Sequence, residues 1–319
     1  MSKIKHPFLM EKFAEIPSIS SVNLLILAAS VDSRGYAAYE KMIERGIVID
    51  QIIVFDYKKF RPTWNSDGYA RYYQLASADR TQYVPCDADG DDSIFLNKFI
   101  QGNSISVFLD ITSISIPDIF KICFVFKELK DFAFLNVIYS EPKYYKYLNG
   151  LYFDYEHHSG ERAYRVIDEY FTSSISKDVV LICFLGFDPL ISKYIHEMKE
   201  DSDIVAINGF PSFYPKLKDI SLERNYELIS AIGQEKVQYS QANHPFSAYN
   251  TLTEIKSNNR NKILDICVLG TKPMALGACL FALNNSSHTK VSYPYPVEYR
   301  PQISIEAADI WWYGVNLCQ

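Results

Sequence analysis

An internal repeat is the feature of this sequence that most limits how the chain can fold. Four segments of the first half recur in the same order in the second half, from the apolar run at Leu24 and its match at Val180 onwards. Asp32 and Asp188 lie 156 positions apart, and the Leu-Asp-Ile strand ends at Asp110 and Asp265 lie 155 apart. A constant offset across ordered matches indicates duplication of one folding unit.

Apolar runs of strand length alternate with helical segments in each half, which predicts parallel sheets covered by helices. We therefore expect an α/β fold of two tandem Rossmann-like parallel-sheet units. The first would span 1–150, a linker 151–177 and the second unit 178–319. The expected strands are 22–29, 51–56, 81–85, 105–111 and 132–139, then 179–185, 203–208, 236–240, 262–268 and 289–293. The expected helices are 33–46, 114–129, 189–200 and 272–284, with an extra hairpin at the C-terminus.

Composition and charge narrow the classes of function. The chain has 319 residues, of which 48% are hydrophobic and 22% charged, so it is globular. A net charge of −6 and a pI near 5.6 argue against binding long nucleic acids. Six cysteines without metal-ligand spacing indicate a reducing compartment and no metal site. With no apolar run long enough for a membrane span, we expect a soluble cytoplasmic protein.

The loops that follow the strands are the expected ligand sites, because ligands of open parallel sheets bind at the carboxyl ends of the strands. After the first strand stand Ser30, Asp32 and Arg34. Ser30 and Asp32 could simply cap the next helix, whereas Arg34 could engage an anion. After the fourth strand, Thr112 and Ser113 offer hydroxyl groups.

The corresponding turn of the second half carries Gly270, Thr271 and Lys272 at the start of a predicted helix. Glycine lets a ligand approach the backbone, and threonine offers a hydroxyl or a cap. A lysine at a helix N-terminus is unfavourable unless an anion binds there. The alternative is a glycine turn with a solvated lysine.

The strand–GTKPMALGA–helix segment resembles the (Gly)-Gly-Thr-Lys-x-Met…Gly-Ala segment of CRISPR-associated Rossmann-fold (CARF) ligand-sensing domains. In that family the threonine and lysine lie near the phosphates of a cyclic oligoadenylate held between two Rossmann units. The resemblance implies a ligand-binding role for Gly270, Thr271 and Lys272 and a place in antiphage defence. Leu269 departs from the family pattern, which often has another glycine there.

We therefore expect a ligand sensor that binds a nucleotide-derived phosphorylated molecule in the cleft between the two halves. The partner would be a second copy of the chain or an effector protein, with no membrane and no cofactor involved. One alternative is an enzyme acting on a nucleotide or nucleoside phosphate, with Asp32, Asp110 or Glu141 as general acid or base. Another is a structural subunit of a larger complex.

Overall fold

The computed structural model describes residues 9–15, 19–30, 32–57, 81–85, 106–129, 134–145, 163–166, 178–187, 203–295 and 304–317. These ranges hold thirteen strands, which follow the long apolar runs of the sequence. They are β1 (Leu9–Lys12), β2 (Ser21–Ala28), β3 (Val48–Asp56), β4 (Thr81–Pro85), β5 (Val107–Asp110), β6 (Phe134–Tyr145), β7 (Ala163–Val166), β8 (Val179–Phe184), β9 (Asp203–Gly209), β10 (Val237–Ser240), β11 (Ile263–Val268), β12 (Thr289–Tyr295) and β13 (Ser304–Asn316).

Six α-helices lie in the same ranges. They are α1 (Ala37–Glu44), α2 (Ile116–Glu128), α3 (Pro215–Arg224), α4 (Tyr226–Ile232), α5 (Pro245–Asn258) and α6 (Lys272–Asn284). A 3₁₀ turn, Ser33–Tyr36, leads directly into α1. The predicted helices near 33–46, 114–129 and 272–284 are thus present, whereas 189–200 lies outside the described residues. Helices α3, α4 and α5 were not predicted.

The first unit is built on a sheet with the strand order β1-β13-β6-β5-β2-β3-β4. Strands β2 to β6 pair in parallel, while β13 pairs antiparallel with both β6 and β1. The central strand β2 has its successor β3 on one side and β5 on the other, so the direction of chain progression reverses between β2 and β5. That reversal defines a topological switch point, where ligands of open parallel sheets bind.

The second unit has a sheet with the order β10-β9-β8-β11-β12-β7. Its strands pair in parallel except for β7, which runs antiparallel beside β12. The switch point of this unit lies between β8 and β11. The two sheets therefore share one strand order around the central strands β2 and β8, and each parallel set ends against an antiparallel strand. The expected α/β class with parallel-rich sheets is confirmed.

The boundaries of the units differ from the sequence expectation at both ends of the second unit. The chain divides into one unit of Met1–Gly160 with Val297–Gln319, and another of Glu161–Pro296. Segment 297–319 departs from the second unit because β13 pairs along its length with β6 rather than forming a hairpin of its own. The predicted linker 151–177 includes β7, which belongs to the second sheet.

The match of Asp110 with Asp265 in the repeat is not a match in the sheet. Asp110 is the last residue of β5, whereas Asp265 is the third of the six residues of β11. Pairing against the central strands puts Cys267, not Asp265, at the level of Asp110. Asp265 is instead buried in mid-strand, where it accepts a 2.5 Å hydrogen bond from Ser292 Oγ.

Apolar side chains on both faces of the central strands form the cores. In the first unit, Leu25, Leu27 and Phe108 pack against α1 residues Ala38 and Met42. Burial on both faces explains why these strands are continuous apolar runs rather than alternating ones. No helix within the described ranges is long and apolar enough to cross a membrane.

Helix α6 packs against α5 through a glycine. A Cβ added at Gly277 would collide with the carbonyl oxygen of Pro245 and lie 2.9 Å from Cβ of Ala248. From the sequence, this glycine of the GTKPMALGA segment is expected to let the helix pack closely on the sheet, but its close neighbour is α5.

We expect Gly277→Ala to lower the free energy of unfolding by about 1–3 kcal/mol, the usual cost of overpacking. Alanine alone would stabilise the helix, so the sign of the change shows whether contact with α5 dominates. Urea unfolding followed by circular dichroism measures it. The exposed helix substitution Glu254→Ala is the control, and an unchanged or higher midpoint for Gly277→Ala would contradict the prediction.

Candidate functional site

The backbone opens at the switch point of the first unit because the ends of β2 and β5 turn in opposite directions. The amide of Ala29 donates to the carbonyl of Phe55 at 2.9 Å, which draws the chain after β2 towards β3. The amide of Ile111 donates to the carbonyl of Ile138 on β6 at 2.9 Å, and the next amide, that of Thr112, donates to Asp110 Oδ1 at 2.9 Å instead of to β2. Loop side chains can therefore enter the space between the two strand ends.

The loop after β2 supplies an ion pair at this opening. Asp32 accepts from the backbone amide of Arg34 at 3.0 Å and so caps the 3₁₀ turn, while Ser30 Oγ accepts from the Asp32 amide at 3.0 Å. The Arg34 guanidinium donates to Asp32 Oδ2 through Nε at 3.0 Å and Nη2 at 2.7 Å. Its Nη1 donates to the carbonyl of Ser140 on β6 at 3.1 Å. Asp32 thus has the capping role that the sequence left open, and Arg34 ties the loop to β6.

The loop after β5 supplies a buried acid and two hydroxyl groups. The Thr112 amide donates to Asp110 Oδ1 at 2.9 Å, and Thr112 Oγ1 accepts from the Ser140 amide at 2.9 Å. Asp110 and Ser140 are 1% and 0% exposed. Within the described parts of the chain, Asp110 Oδ2 and Ser140 Oγ have no hydrogen-bond partner. We call Ser30, Asp32, Arg34, Asp110, Thr112 and Ser140 the switch-point cluster.

Burial dominates the electrostatics of Asp110. It raises the pKa of this carboxyl to about 7, although hydrogen bonds from Thr112 and the positive charge of Arg34 act in the opposite direction. The cause is that an ionised carboxylate loses its hydration in the protein interior. At neutral pH, Asp110 therefore exists as a mixture of the acid and the carboxylate.

Two other predicted residues lie beside the cluster. Ser113 is half-buried in the same turn as Thr112. Glu141, next to Ser140 on β6, accepts a 2.8 Å hydrogen bond from the Trp311 indole. Burial raises the pKa of Glu141, while that hydrogen bond lowers it. Glu141 is thus oriented by β13, a contact that the sequence did not indicate.

The N-terminus of α2, which also faces this end of the sheet, already holds an acid. Ser115 caps the helix by accepting from the Asp118 amide at 3.2 Å. The hydroxyls of Tyr57 and Ser115 each donate to Asp118 Oδ2 at 2.5 Å. A carboxylate in the first turn offsets the positive end of the helix dipole, so this helix start is poorly suited to a phosphate.

The switch point of the second unit is closed by the backbone. The amide of Leu185 donates to Ile207 on β9, but the Leu269 amide donates back to Phe184 on β8 at 3.1 Å. The chain after β11 therefore stays beside β8 instead of turning away. A Cβ on Gly186 would collide with the carbonyl oxygen of Leu269, so only glycine fits between the two chains.

The Gly270–Lys272 turn leads from this closed point into α6. Thr271 is the N-cap: its Oγ1 accepts from the Met274 amide at 3.4 Å and donates to the carbonyl of Ala242. Lys272 is half-buried at the first helical position, and the first turn of α6 holds no acid. The sequence left open whether Thr271 caps the helix or offers its hydroxyl to a ligand, and in the structure Thr271 caps α6.

The first unit thus brings together Ser30, Asp32, Arg34, Asp110 and Thr112, with Ser113 and Glu141 adjacent. Gly270, Thr271 and Lys272 form one turn of the second unit. Sequence reasoning missed Ser140, although this serine directly follows the expected strand 132–139 and that position was the signal for it. Asp188 and the acidic loop 87–92 lie outside the described residues. In the ranges given above, no three His, Cys, Asp or Glu side chains are grouped to bind a metal.

Comparison with known proteins gives little guidance. No family model and no curated protein matches the chain. Among solved structures, a functionally unknown protein of Pseudomonas aeruginosa PAO1 is 8% identical, with a TM-score of 0.26, over 86% of this chain and 93% of that one. A candidate universal stress protein of P. aeruginosa UCBPP-PA14 is 8% identical, with a TM-score of 0.26, over 86% of this chain and 94% of that one. The cytoplasmic domain of a prokaryotic cation chloride cotransporter is 9% identical, with a TM-score of 0.26, over 87% of this chain and 96% of that one. Likeness this low assigns neither fold nor function.

The pKa of Asp110 predicts how stability depends on pH. Because its folded-state pKa of about 7 exceeds the usual 3.8, the folded chain binds more protons than the unfolded chain between these values. Stability should therefore fall as pH rises through this window, by about 2 kcal/mol between pH 5.5 and pH 8 from this group alone.

Urea unfolding followed by tryptophan fluorescence tests this, because all three tryptophans belong to the first unit. Asp110→Asn should remove about 2 kcal/mol of the pH dependence. Asp50→Asn, an exposed carboxylate on β3, is the matched control and should keep it. The same pH dependence in Asp110→Asn and in the unmodified chain would show that Asp110 titrates normally.

Proposed function

We propose that this chain is a ligand sensor that binds a nucleotide-derived, phosphorylated small molecule at the carboxyl ends of its strands. The main support is the open switch point of the first unit, where one oxygen of the buried Asp110 and the buried hydroxyl of Ser140 have no hydrogen-bond partner among the described residues. Unsatisfied buried polar atoms are rare in native proteins and require an explanation. Binding of a ligand there would supply one.

The proposal includes descent of both units from one Rossmann-like ancestor. Its support is the shared strand order of the two sheets and the repeat in the sequence. The resemblance of the Gly270–Lys272 turn to CARF domains adds a proposed role in antiphage defence. Signalling would pass to a second copy of the chain or to an effector protein.

A nucleotide-converting enzyme is the second candidate, and the pKa of Asp110 favours it. A carboxyl that titrates near neutral pH can both take and give a proton during a reaction. Asp32 is less suited because it is paired with Arg34. Glu141 is the other candidate base, with its carboxylate held by Trp311.

One experiment separates these functions. The full chain is incubated with cyclic and linear nucleotides, and bound, unchanged and converted species are then separated by chromatography. A sensor returns its ligand unchanged, whereas an enzyme returns a product whose formation is lost in Asp110→Asn. If no nucleotide is retained or converted, both candidates fail and a structural subunit is the remaining interpretation.

For the nucleotide retained in that experiment, Lys272→Ala should weaken binding by about 1–3 kcal/mol, the scale of a hydrogen bond to a charged group. The reason is that Lys272 and the acid-free N-terminus of α6 together favour a phosphate. Titration calorimetry measures the change. Lys216→Ala is the matched control, because Lys216 is an exposed lysine in the first turn of α3. Equal affinities for Lys272→Ala and the control would contradict a phosphate role.

A further inference from the structure

The two unpartnered atoms of the switch-point cluster face the same side of the first sheet. Asp110 is the parallel neighbour of Ile138, and Ser140 lies two residues beyond Ile138 on β6. Side chains two residues apart on a strand share a face, so Asp110 and Ser140 do as well. Thr112 bonds to both of them, at 2.9 Å in each case. Thr112 therefore links Asp110 and Ser140 through Asp110 Oδ1 and the Ser140 amide, while Asp110 Oδ2 and Ser140 Oγ stay unpartnered among the described residues.

The charge of this group does not suit a phosphate. The Arg34 guanidinium is 2.7 Å from Asp32 Oδ2, so the pair is neutral as a whole. Asp110 adds a charge between zero and minus one. A phosphate placed here would meet one cation and up to two carboxylates, which gives no net attraction. The sequence-based expectation that Arg34 engages an anion is therefore replaced by a different chemistry.

The hydrogen-bonding capacity of the two atoms indicates what fits. A carboxylate oxygen only accepts, whereas a serine hydroxyl both donates and accepts. Their common complement is a neutral group that donates to Asp110 and exchanges a hydrogen bond with Ser140, namely an alcohol. We propose that Asp110 and Ser140 form a subsite for the hydroxyl groups of a sugar, which, resting on the proposed function, is the ribose of the nucleotide-type ligand.

The Arg34–Asp32 pair covers this subsite. The side chains of Arg34 and Asp32 are 11% and 13% exposed, those of Asp110 and Ser140 are buried at 1% and 0%, and Arg34 Nη1 donates to the Ser140 carbonyl. A sugar reaches the unpartnered atoms only when Arg34 releases the carbonyl of Ser140. The 3₁₀ turn Ser33–Tyr36 then moves, and this turn continues directly into α1. Binding is thus coupled to a helix of the first unit.

Equilibrium dialysis of the full chain with labelled D-ribose tests the subsite without any nucleotide. Asp110→Asn and Ser140→Ala should each weaken ribose binding about tenfold, because each removes one hydrogen-bonding group. Asp50→Asn and Ser21→Ala, which are exposed near the starts of β3 and β2 in the same sheet, should leave it unchanged. Inorganic phosphate should not displace ribose. Circular dichroism confirms that each variant is folded, and Ser140→Ala keeps the test decisive if Asp110→Asn fails to fold.

Three results would each overturn the subsite: no ribose binding, ribose binding that is as strong in both variants as in the unmodified chain, or ribose that is displaced by inorganic phosphate. Failure of the proposed function gives a different pattern, in which ribose binds through Asp110 but no nucleotide is retained. The opposite pattern leaves the sensor standing and removes the subsite. In it, the retained nucleotide binds the Asp110→Asn variant with full affinity, and the 2′,3′-dideoxy form of that nucleotide binds the unmodified chain with full affinity. Hydrogen exchange in residues 32–44 should increase when ribose binds, because the covering turn is displaced.

Discussion

Two hydrogen bonds of backbone amides at the ends of β2 and β5 set the character of the first unit. The Ala29 amide donates to Phe55 on β3, and the Thr112 amide donates to the Asp110 side chain instead of to β2, so the two neighbouring strands separate where the chain changes direction. Every feature of the switch-point cluster depends on that separation. Without it, the loops carrying Arg34 and Thr112 would pack against each other as backbone, and Asp110 would be one more residue of a closed sheet.

The separation also explains how an acid is held in an apolar core. Asp110 continues the strand face that carries Phe108, and one of its oxygens is satisfied by the Thr112 amide. The other oxygen has no partner among the described residues, which in general costs about 1–3 kcal/mol. Protonation reduces that cost, and this is why the pKa of the carboxyl is raised.

The sequence predicted the parts of the fold that depend on local pattern. The ten expected strands are present because fully buried parallel strands are unbroken apolar runs, whereas the short strands β1 and β7 carry no such run and were missed. Helix α6 was correct because Thr271 marks its start. Helix α5 was missed although His244-Pro245 and the three-residue spacing of Phe246, Tyr249 and Leu252 indicated it. The place of β13 could not be predicted, because pairing between residues far apart in sequence is not a local property. For the same reason the repeat suggested Asp265 as the counterpart of Asp110, whereas strand register makes it Cys267.

The two units differ in the charge at the starts of the helices α2 and α6, and this difference follows from a few residues in the first turn of each helix. Helix α2 carries Asp118 in its first turn, so its positive end is already neutralised by a carboxylate. Helix α6 has no acid there and begins with Lys272. The backbone at the two switch points also differs. The first switch point is open, whereas the second is closed because Leu269 lies against Gly186. The first unit therefore has a buried polar cluster beside a helix start that a carboxylate neutralises, and the second has a lysine at a helix start without an acid.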